Sequence, residues 1–465
     1  MTPAAGAMRR ARPRLALAAT LALASCGGAV GDGRHDPWSQ LAPRGLPVGR
    51  VLGMATQMYE GPNPSWERDF EIAHLLESGL RRIRISIDWP RVEPAQDQFE
   101  WTNTDSFIAL LTSAGLQVDG RLSYGVDWAR PDGNDSAILP EDFADYAAHV
   151  AEHFCGVIES YELWNEENLK IFWKPVPDPD RYGAILKATF TAVHQACPGA
   201  QVLIGGLSGF DQYTFDPGLY YFLEAMHAAH PDIGQYFDAL AIHPYTFLQT
   251  TSPEWSWQGD DRELWPDLPG QVALARQRLE RIGAAGKPIW LTEWGWPSLI
   301  IGKAGQAAFF TRGALLAIAA GVEALDWYTF WDREGGSFPP TEDYFGLFTW
   351  SGASDGPHAK PAYRAASTLG NVLATSRFAA DLSAPLALPE GAVGLAFVDD
   401  EDGHVTFVGW DSVPERTTPL VLASPPRRHA YRCTSDLGDA ACEPGTASSV
   451  SLELGARAIY VRFDR

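Results

Sequence analysis

The chain has 465 residues, enough for two or three domains and a large buried core. An apolar fraction of 46% with 20% charged residues excludes disordered, collagen-like and low-complexity classes. Lys and Arg total 36 against 58 Asp and Glu, a formal charge of -22, which excludes a nucleic-acid partner because phosphates would be repelled.

Arg9, Arg10, Arg12 and Arg14 open the chain as a basic region, an apolar stretch runs from Leu15 to Ala24, and no acidic residue precedes Asp32. This is the pattern of a secretory signal over residues 1–25, too short to span a bilayer. It ends Leu23-Ala24-Ser25-Cys26-Gly27-Gly28, which resembles the bacterial lipobox, whose Cys becomes the lipidated first residue. Cleavage after Ala22-Leu23-Ala24 by an ordinary signal is the alternative. Residues 26–47 then suit a flexible, lipid-anchored linker. The expected location is the cell envelope, outside the cytoplasm, with the membrane engaged through that N-terminal anchor only.

From residue 48 the chain alternates short apolar runs with amphipathic stretches. Strands are predicted at 51–56, 82–87, 117–123, 157–164, 202–206, 239–243, 288–293 and 324–331. Helices are predicted at 66–78, 104–114, 140–154, 180–196, 218–229, 271–282, 306–320 and 361–373, with Gly or Pro at many joins. Strand and helix in alternation imply a parallel sheet with helical crossovers. Eight units over residues 48–374 fit an α/β fold of the (β/α)8 TIM-barrel type. The rival, an open doubly wound sheet, usually carries a Gly-rich phosphate turn that is absent here.

After residue 374 the pattern changes. Runs at 386–388, 393–398, 404–410, 419–423, 429–433, 449–454 and 458–462 read as short strands, so residues 375–465 are expected to form a small all-β sandwich. Cys433 and Cys442, nine positions apart in a predicted hairpin, are expected to pair. Cys155 and Cys197 each precede a predicted strand, and those strands are neighbours, so a second bridge fits. No C-x-x-C or His-rich cluster suggests a metal, and no cofactor is expected.

In such a barrel the chemistry sits at the C-terminal ends of strands. The fourth strand ends Tyr161-Glu162-Leu163-Trp164-Asn165-Glu166-Glu167, and the seventh ends Leu291-Thr292-Glu293-Trp294-Gly295. Two carboxylates facing each other across the barrel mouth, about 5–5.5 Å apart, are what a retaining glycosidase needs. Leu163-Trp164-Asn165-Glu166 resembles the acid/base motif of clan A glycoside hydrolases, and Leu291-Thr292-Glu293-Trp294-Gly295 resembles their nucleophile motif. Ile83-Arg84-Ile85-Ser86, Trp89-Pro90-Arg91-Val92-Glu93-Pro94, His243-Pro244-Tyr245 and Trp327-Tyr328-Thr329-Phe330-Trp331-Asp332 are similar to other stretches of that clan, in the same order. The resemblance covers residues 48–373 and is nearest to families 39 and 5.

The resemblance implies a role for each position. Glu166 is the expected acid/base and Glu293 the nucleophile. Arg84 supplies positive charge beside Glu293, and Tyr245 holds its oxygen. Asn165 bonds the sugar 2-hydroxyl, His243 contacts a nearby hydroxyl, and Trp331 forms the floor under the sugar, with Trp327 or Tyr328 as alternatives. Tyr124, Trp128, Trp173, Trp294 and Trp296 follow strand ends and stand either as sugar platforms or as packing. Glu167 departs from the family, which often has Pro there; it is expected to point away into a helix start, and Glu162 to point into the barrel.

The expected function is an exported retaining β-glycosidase that hydrolyses a polysaccharide or oligosaccharide by a two-glutamate double displacement, its partner a carbohydrate substrate. A transglycosidase remodelling an extracellular glycan, and a non-catalytic carbohydrate-binding surface lipoprotein, are the alternatives. A metalloprotease reading lacks H-E-x-x-H.

Overall fold

The structure is a computed structural model, and it describes residues 36–58, 65–209, 218–246, 249–256, 266–333, 337, 340–350 and 356–464. The expected signal segment and Cys26 lie outside these residues. Strands β1 (Leu52–Ala55), β2 (Arg82–Asp88), β3 (Gln117–Ser123), β4 (Ile158–Leu163), β5 (Gln201–Ser208), β6 (Ala239–His243), β7 (Ile289–Trp294) and β8 (Ala324–Tyr328) pair in parallel and in sequence order. β8 returns to β1, with Ala55 opposite Tyr328, and closes the barrel. Helices α1 (Ser65–Ser78), α2 (Thr102–Ser113), α3 (Pro140–His153), α4 (Pro179–Ala196), α5 (Gly218–Ala229), α6 (Leu268–Arg281), α7 (Ser298–Ala319) and α8 (Pro361–Val372) follow the strands in turn. This is the expected (β/α)8 architecture.

Local chemistry explains the element ends. The Asp178 side chain accepts from the Arg181 N–H at 3.0 Å with Pro179 in the first turn of α4, and Asp267 accepts from the Gly270 N–H at 2.7 Å at the start of α6. Gly115, at φ 89°, follows the end of α2, a conformation that costs a Cβ-bearing residue more. The predicted eighth strand is shorter than expected. Its pairing with β1 stops at Tyr328, and Trp331 instead bridges Phe348 of the short hairpin β9 (Phe348–Trp350) and β10 (Pro357–Ala359).

The strands are buried on both faces, yet β2, β3 and β4 carry charge. Arg82 donates to Asp119 at 2.6 Å, and the Ser160 hydroxyl donates to the other oxygen of Asp119. Asp326 on β8 is fully buried, and burial pushes its carboxyl up to about 8. On α1, Glu71 is 1% exposed, accepts from Thr56 Oγ1 at 2.6 Å and is likewise pushed up by burial to about 8. Both groups bind a proton more tightly in the fold than in the unfolded chain, where they titrate near pH 4, so the stability that these two contribute is lost as pH rises from about 4 to 8. Glu71→Gln keeps an acceptor for Thr56 and is expected to flatten the fall in Tm between about pH 5 and 8 in calorimetry. An unchanged slope would mean that Glu71 is ionised in the folded protein.

The C-terminal region forms two antiparallel sheets. Strands β11 (Ser376–Asp381), β12 (Ala392–Asp399), β13 (Val405–Asp411), β14 (Thr418–Ala423), β15 (Ala430–Ser435), β16 (Gly445–Thr446), β17 (Ser449–Leu454) and β18 (Ile459–Asp464) arrange as β11-β12-β13-β18-β15-β16 and β14-β17. Leu420, Leu422, Val450, Leu452 and Leu454 of the small sheet share one core with Phe407, Val461 and Phe463 of the large one, a sandwich as expected. The run at 386–388 is not a strand. Between Pro385 and Pro389 its N–H groups close local turns, Leu386 to Leu382 O and Leu388 to Ser383 O, and Ala387 has φ 51°. β11, whose Ser-Arg-Phe-Ala-Ala-Asp lacks clean alternation, was not predicted.

The expected linker ends earlier than its composition suggests. Trp38 is 5% exposed, its indole donates to Ala423 O at 2.9 Å, and the Arg44 N–H donates to Phe378 O at 2.9 Å. Both disulfides are formed, Cys155–Cys197 and Cys433–Cys442, with Cα–Cα distances of 5.6 and 5.2 Å. A further fastening joins barrel to sandwich. Glu254, in the loop after β6, accepts from Arg312 of α7 at 2.7 Å and from the Trp410 indole of β13 at 2.9 Å, and Arg312 also donates to Ala456 O at 3.3 Å. No described helix is long and apolar enough to cross a membrane.

Candidate active site

At the C-terminal ends of the barrel strands lies a cavity of about 720 Å³. Arg84, Asn165, Glu166, Tyr245 and Glu293 all line it. The turn that presents Glu166 is strained. Trp164 at φ 74° and Glu166 at φ 47° occupy the left-handed region on either side of Asn165, at a cost of about 1–3 kcal/mol each. The turn is held by the Trp164 N–H on Leu122 O at 2.8 Å, the Glu166 N–H on Gly206 O at 3.2 Å and the Leu169 N–H on Glu166 O at 2.8 Å. Backbone strain of this kind concentrates at functional sites.

His243 Nδ1 lies 2.9 Å from Glu166 Oε1 and 3.8 Å from Glu293 Oε2. Together these distances put those two oxygens no more than about 6.7 Å apart, a bound that admits the retaining spacing. Arg84 Nη1 donates to Glu293 Oε1 at 2.6 Å, and the Tyr245 hydroxyl donates to Oε2 at 3.3 Å. Arg84 also grips Glu162 with two bonds, at 2.8 and 2.7 Å, which puts Glu162 inside the barrel as expected. The Asn165 oxygen accepts from Arg84 at 2.9 Å and from Arg121 at 3.2 Å, which fixes the amide and leaves its NH2 to a ligand.

The two carboxylates sit in opposite environments. Burial raises the Glu166 pKa, and the charge of Glu293 adds to this against the bond to His243. Burial also works against Glu293, but His243, Arg84 and Arg121 outweigh it and hold that carboxyl below its ordinary range. Burial opposes the charge on Arg84 too, and Glu162 and Glu293 more than restore it. Burial and Glu293 together keep the Tyr245 phenol protonated. One carboxyl is poised to give a proton and the other to stay ionised.

Some expected residues stand elsewhere. His243 is fully buried behind the carboxylates, with Nε2 at 3.2 Å from Thr292 Oγ1, and does not line the cavity. Trp331 is not among the described lining residues. Its ring packs on Phe70, Phe330 and Phe348. Tyr328 lines the cavity instead, and its hydroxyl accepts from Gln57 at 2.6 Å. Of the five aromatic candidates only Tyr124 reaches the cavity. Trp173, Trp294 and Trp296 are core residues, and Trp128 packs edge-on to Trp89. Glu167 is fully buried against Gly205, and no helix starts there, since α4 begins at Pro179.

Gly206 allows this assembly. A Cβ at that position would overlap the His243 ring, while the Gly206 N–H donates to Glu162 at 2.7 Å. Gly206→Ala is expected to cost about 3 kcal/mol in urea unfolding and to lower activity with it. A cost below about 0.5 kcal/mol would mean that the ring moves aside freely.

Two residues were missed by the sequence reading. Arg121 lines the cavity and donates to Asn165, Ser86 and Ser123. Glu342, in the short helix Pro340–Tyr344, is a third carboxylate there, pushed up to about 7 by burial, then by Glu293 and Glu166. Once ionised, Glu342 adds negative charge beside Glu166 and pushes its pKa further up. Glu342→Gln is therefore expected to move the alkaline limb of kcat/KM down by about half a pH unit. An unmoved limb would mean that the two groups do not interact. The described trio with metal-ligand spacing, Glu93, Asp97 and Asp145, is separate from the cavity, and Glu93 already accepts from Trp89 and from the Asp97 N–H.

No family model matches the sequence, and no curated protein is similar to it. Solved structures do match. A family 39 glycoside hydrolase from the gut symbiont Bacteroides cellulosilyticus superposes with TM-score 0.70 over 91% of this chain and 83% of its own, at 21% identity. A monomeric β-xylosidase from Caulobacter crescentus gives 0.64 over 91% and 98%, at 15% identity. The chain shares the fold of these enzymes. A family 30 endoxylanase from Clostridium papyrosolvens gives 0.59 over 91% and 98%, at 11% identity. The coverage takes in barrel and sandwich together.

Proposed function

We propose that the protein is a retaining β-glycosidase. The observation that carries this is the pair Glu166 and Glu293, facing one cavity in surroundings that raise the pKa of the first and lower that of the second. Glu293 attacks the anomeric carbon as the bond to the leaving oxygen breaks, and Glu166 gives that oxygen its proton. A glycosyl ester on Glu293 results. Glu166, now ionised, takes a proton from water, the water attacks the same carbon, and Glu293 leaves. The Asn165 amide is placed to hold the sugar 2-hydroxyl, and Arg84 and Tyr245 steady the Glu293 carboxylate before and after it reacts.

The β-xylosidase and endoxylanase of like fold support a β-linked substrate and make xylan the first polymer to test. The deciding experiment is reducing-end release from a panel of β-linked polysaccharides and oligosaccharides, with the anomer of the first product read by proton NMR. Retention of the β configuration is expected. Inversion, or equal release by Glu293→Ala, would overturn the reading. From the leader sequence we also propose that the protein acts outside the cytoplasm, anchored by lipid on Cys26. Cys26→Ser should then move it from the membrane to the soluble fraction.

A further inference from the structure

Most of the cavity lining is polar, but the stretch beside Glu166 is not, and the difference bears on what leaves in the reaction proposed above. Arg84, Asn165, Tyr245, Glu293, Gln57 and Glu342 line it with hydrogen-bonding groups suited to a sugar ring. The loop that carries Glu166 lines it differently, with Leu169, Ile171 and Phe172, joined by Tyr124 from the end of β3. The Tyr124 and Phe172 rings are parallel within 8°, their centroids 6.2 Å apart. Ile171 is 52% exposed, an apolar side chain turned out beside this pair rather than into the core.

This strip is preformed. The Leu169 N–H donates to Glu166 O at 2.8 Å, the Phe172 N–H to Leu169 O at 3.0 Å, and the Trp164 indole to Phe172 O at 2.9 Å. Arg130, which also lines the cavity, is tied to Asp135 at 3.2 Å. Glu166 delivers its proton to the leaving oxygen, so whatever that oxygen carries lies beside the Glu166 loop. A sugar there would find ring faces to stack on but no hydrogen-bonding side chain on Leu169, Ile171 or Phe172 to orient its hydroxyls. An aryl or alkyl group gives up no such bonds and gains contact area.

We infer that the Leu169, Ile171, Phe172 and Tyr124 strip is a leaving-group site for an apolar aglycone, and that aryl and alkyl β-glycosides are cleaved in preference to internal bonds of a polysaccharide. The inference rests on the glycosidase reading. It is tested with the full chain on methyl, butyl and hexyl β-xylosides and β-glucosides. KM is expected to fall about tenfold from methyl to hexyl, with a smaller change in kcat. In Ile171→Ser and in Phe172→Ala the dependence on chain length is expected to flatten to under about twofold, and Ile171→Leu to restore it. Ile171 is exposed, so its variants leave the core intact even where Phe172→Ala does not. A flat series in the parent, the same slope kept in Ile171→Ser, or a lower KM for xylobiose than for the hexyl xyloside would overturn the aglycone site alone. Cleavage of no glycoside at all, or equal cleavage by Glu293→Gln, would overturn the glycosidase reading and the inference with it.

Discussion

Glu293→Gln is expected to lower kcat on every cleaved glycoside by at least about 10⁴-fold, because an amide at that position cannot form the glycosyl ester. Glu166→Gln is expected to behave differently. An alkyl glycoside, whose leaving oxygen needs a proton, should lose about 10²–10⁴-fold. A 4-nitrophenyl glycoside needs little help to depart, so its first step should survive while the water step stalls for want of a base. The signature is a burst of nitrophenol equal to the enzyme concentration, followed by slow turnover. Equal losses for both substrates with no burst would remove Glu166 from the acid/base role. Exchange of the two phenotypes would reverse the assignment.

Arg84→Met should have the largest effect on stability. Glu162 is 4% exposed and takes two of its three bonds from Arg84. Without the guanidinium it is a buried charge held by one N–H, which costs about 3–5 kcal/mol. Glu293 loses its 2.6 Å partner in the same step, so its pKa should rise and the acid limb of kcat/KM should move up with it. Adding Glu162→Leu should recover much of the stability and none of the pH shift, which separates the two duties of one side chain. Urea unfolding and a pH–rate profile measure both. A stability loss below about 1 kcal/mol would mean that the Arg84–Glu162 pair adds little to the fold.

The barrel was legible because eight strand-and-helix units leave little choice of architecture, and the carboxylates because their neighbours are constrained by chemistry. Glu166 and Glu293 each stand at a predicted strand end within a motif, and both line the cavity. What stayed hidden depends on direction rather than on position in the chain. His243 and Trp331 follow the right strands, but the ring of one faces the back of Glu166 and the ring of the other joins a cluster with Phe70. Neither is set by spacing alone. Arg121 left a signal that was not used. Arg82, Arg84 and Ser86 on β2, and Asp119, Arg121 and Ser123 on β3, recur at every second position. In a parallel sheet covered on both faces, a polar residue at that period marks the barrel interior. Glu342 left none, since it lies in an irregular stretch after β8 and reaches the site only through tertiary folding.

The joint at Glu254 limits how this chain can be recombined. Residues 249–256 belong to the barrel by sequence, and Gln249 lines the cavity, but Glu254 in that segment is held partly by the indole of Trp410. A graft that exchanges the C-terminal sandwich for that of a homologue would therefore alter the wall of the cavity, even with every barrel residue unchanged. Crossover points for chimaeras are better chosen so that Glu254, Arg312, Trp410 and the carbonyl of Ala456 are inherited together.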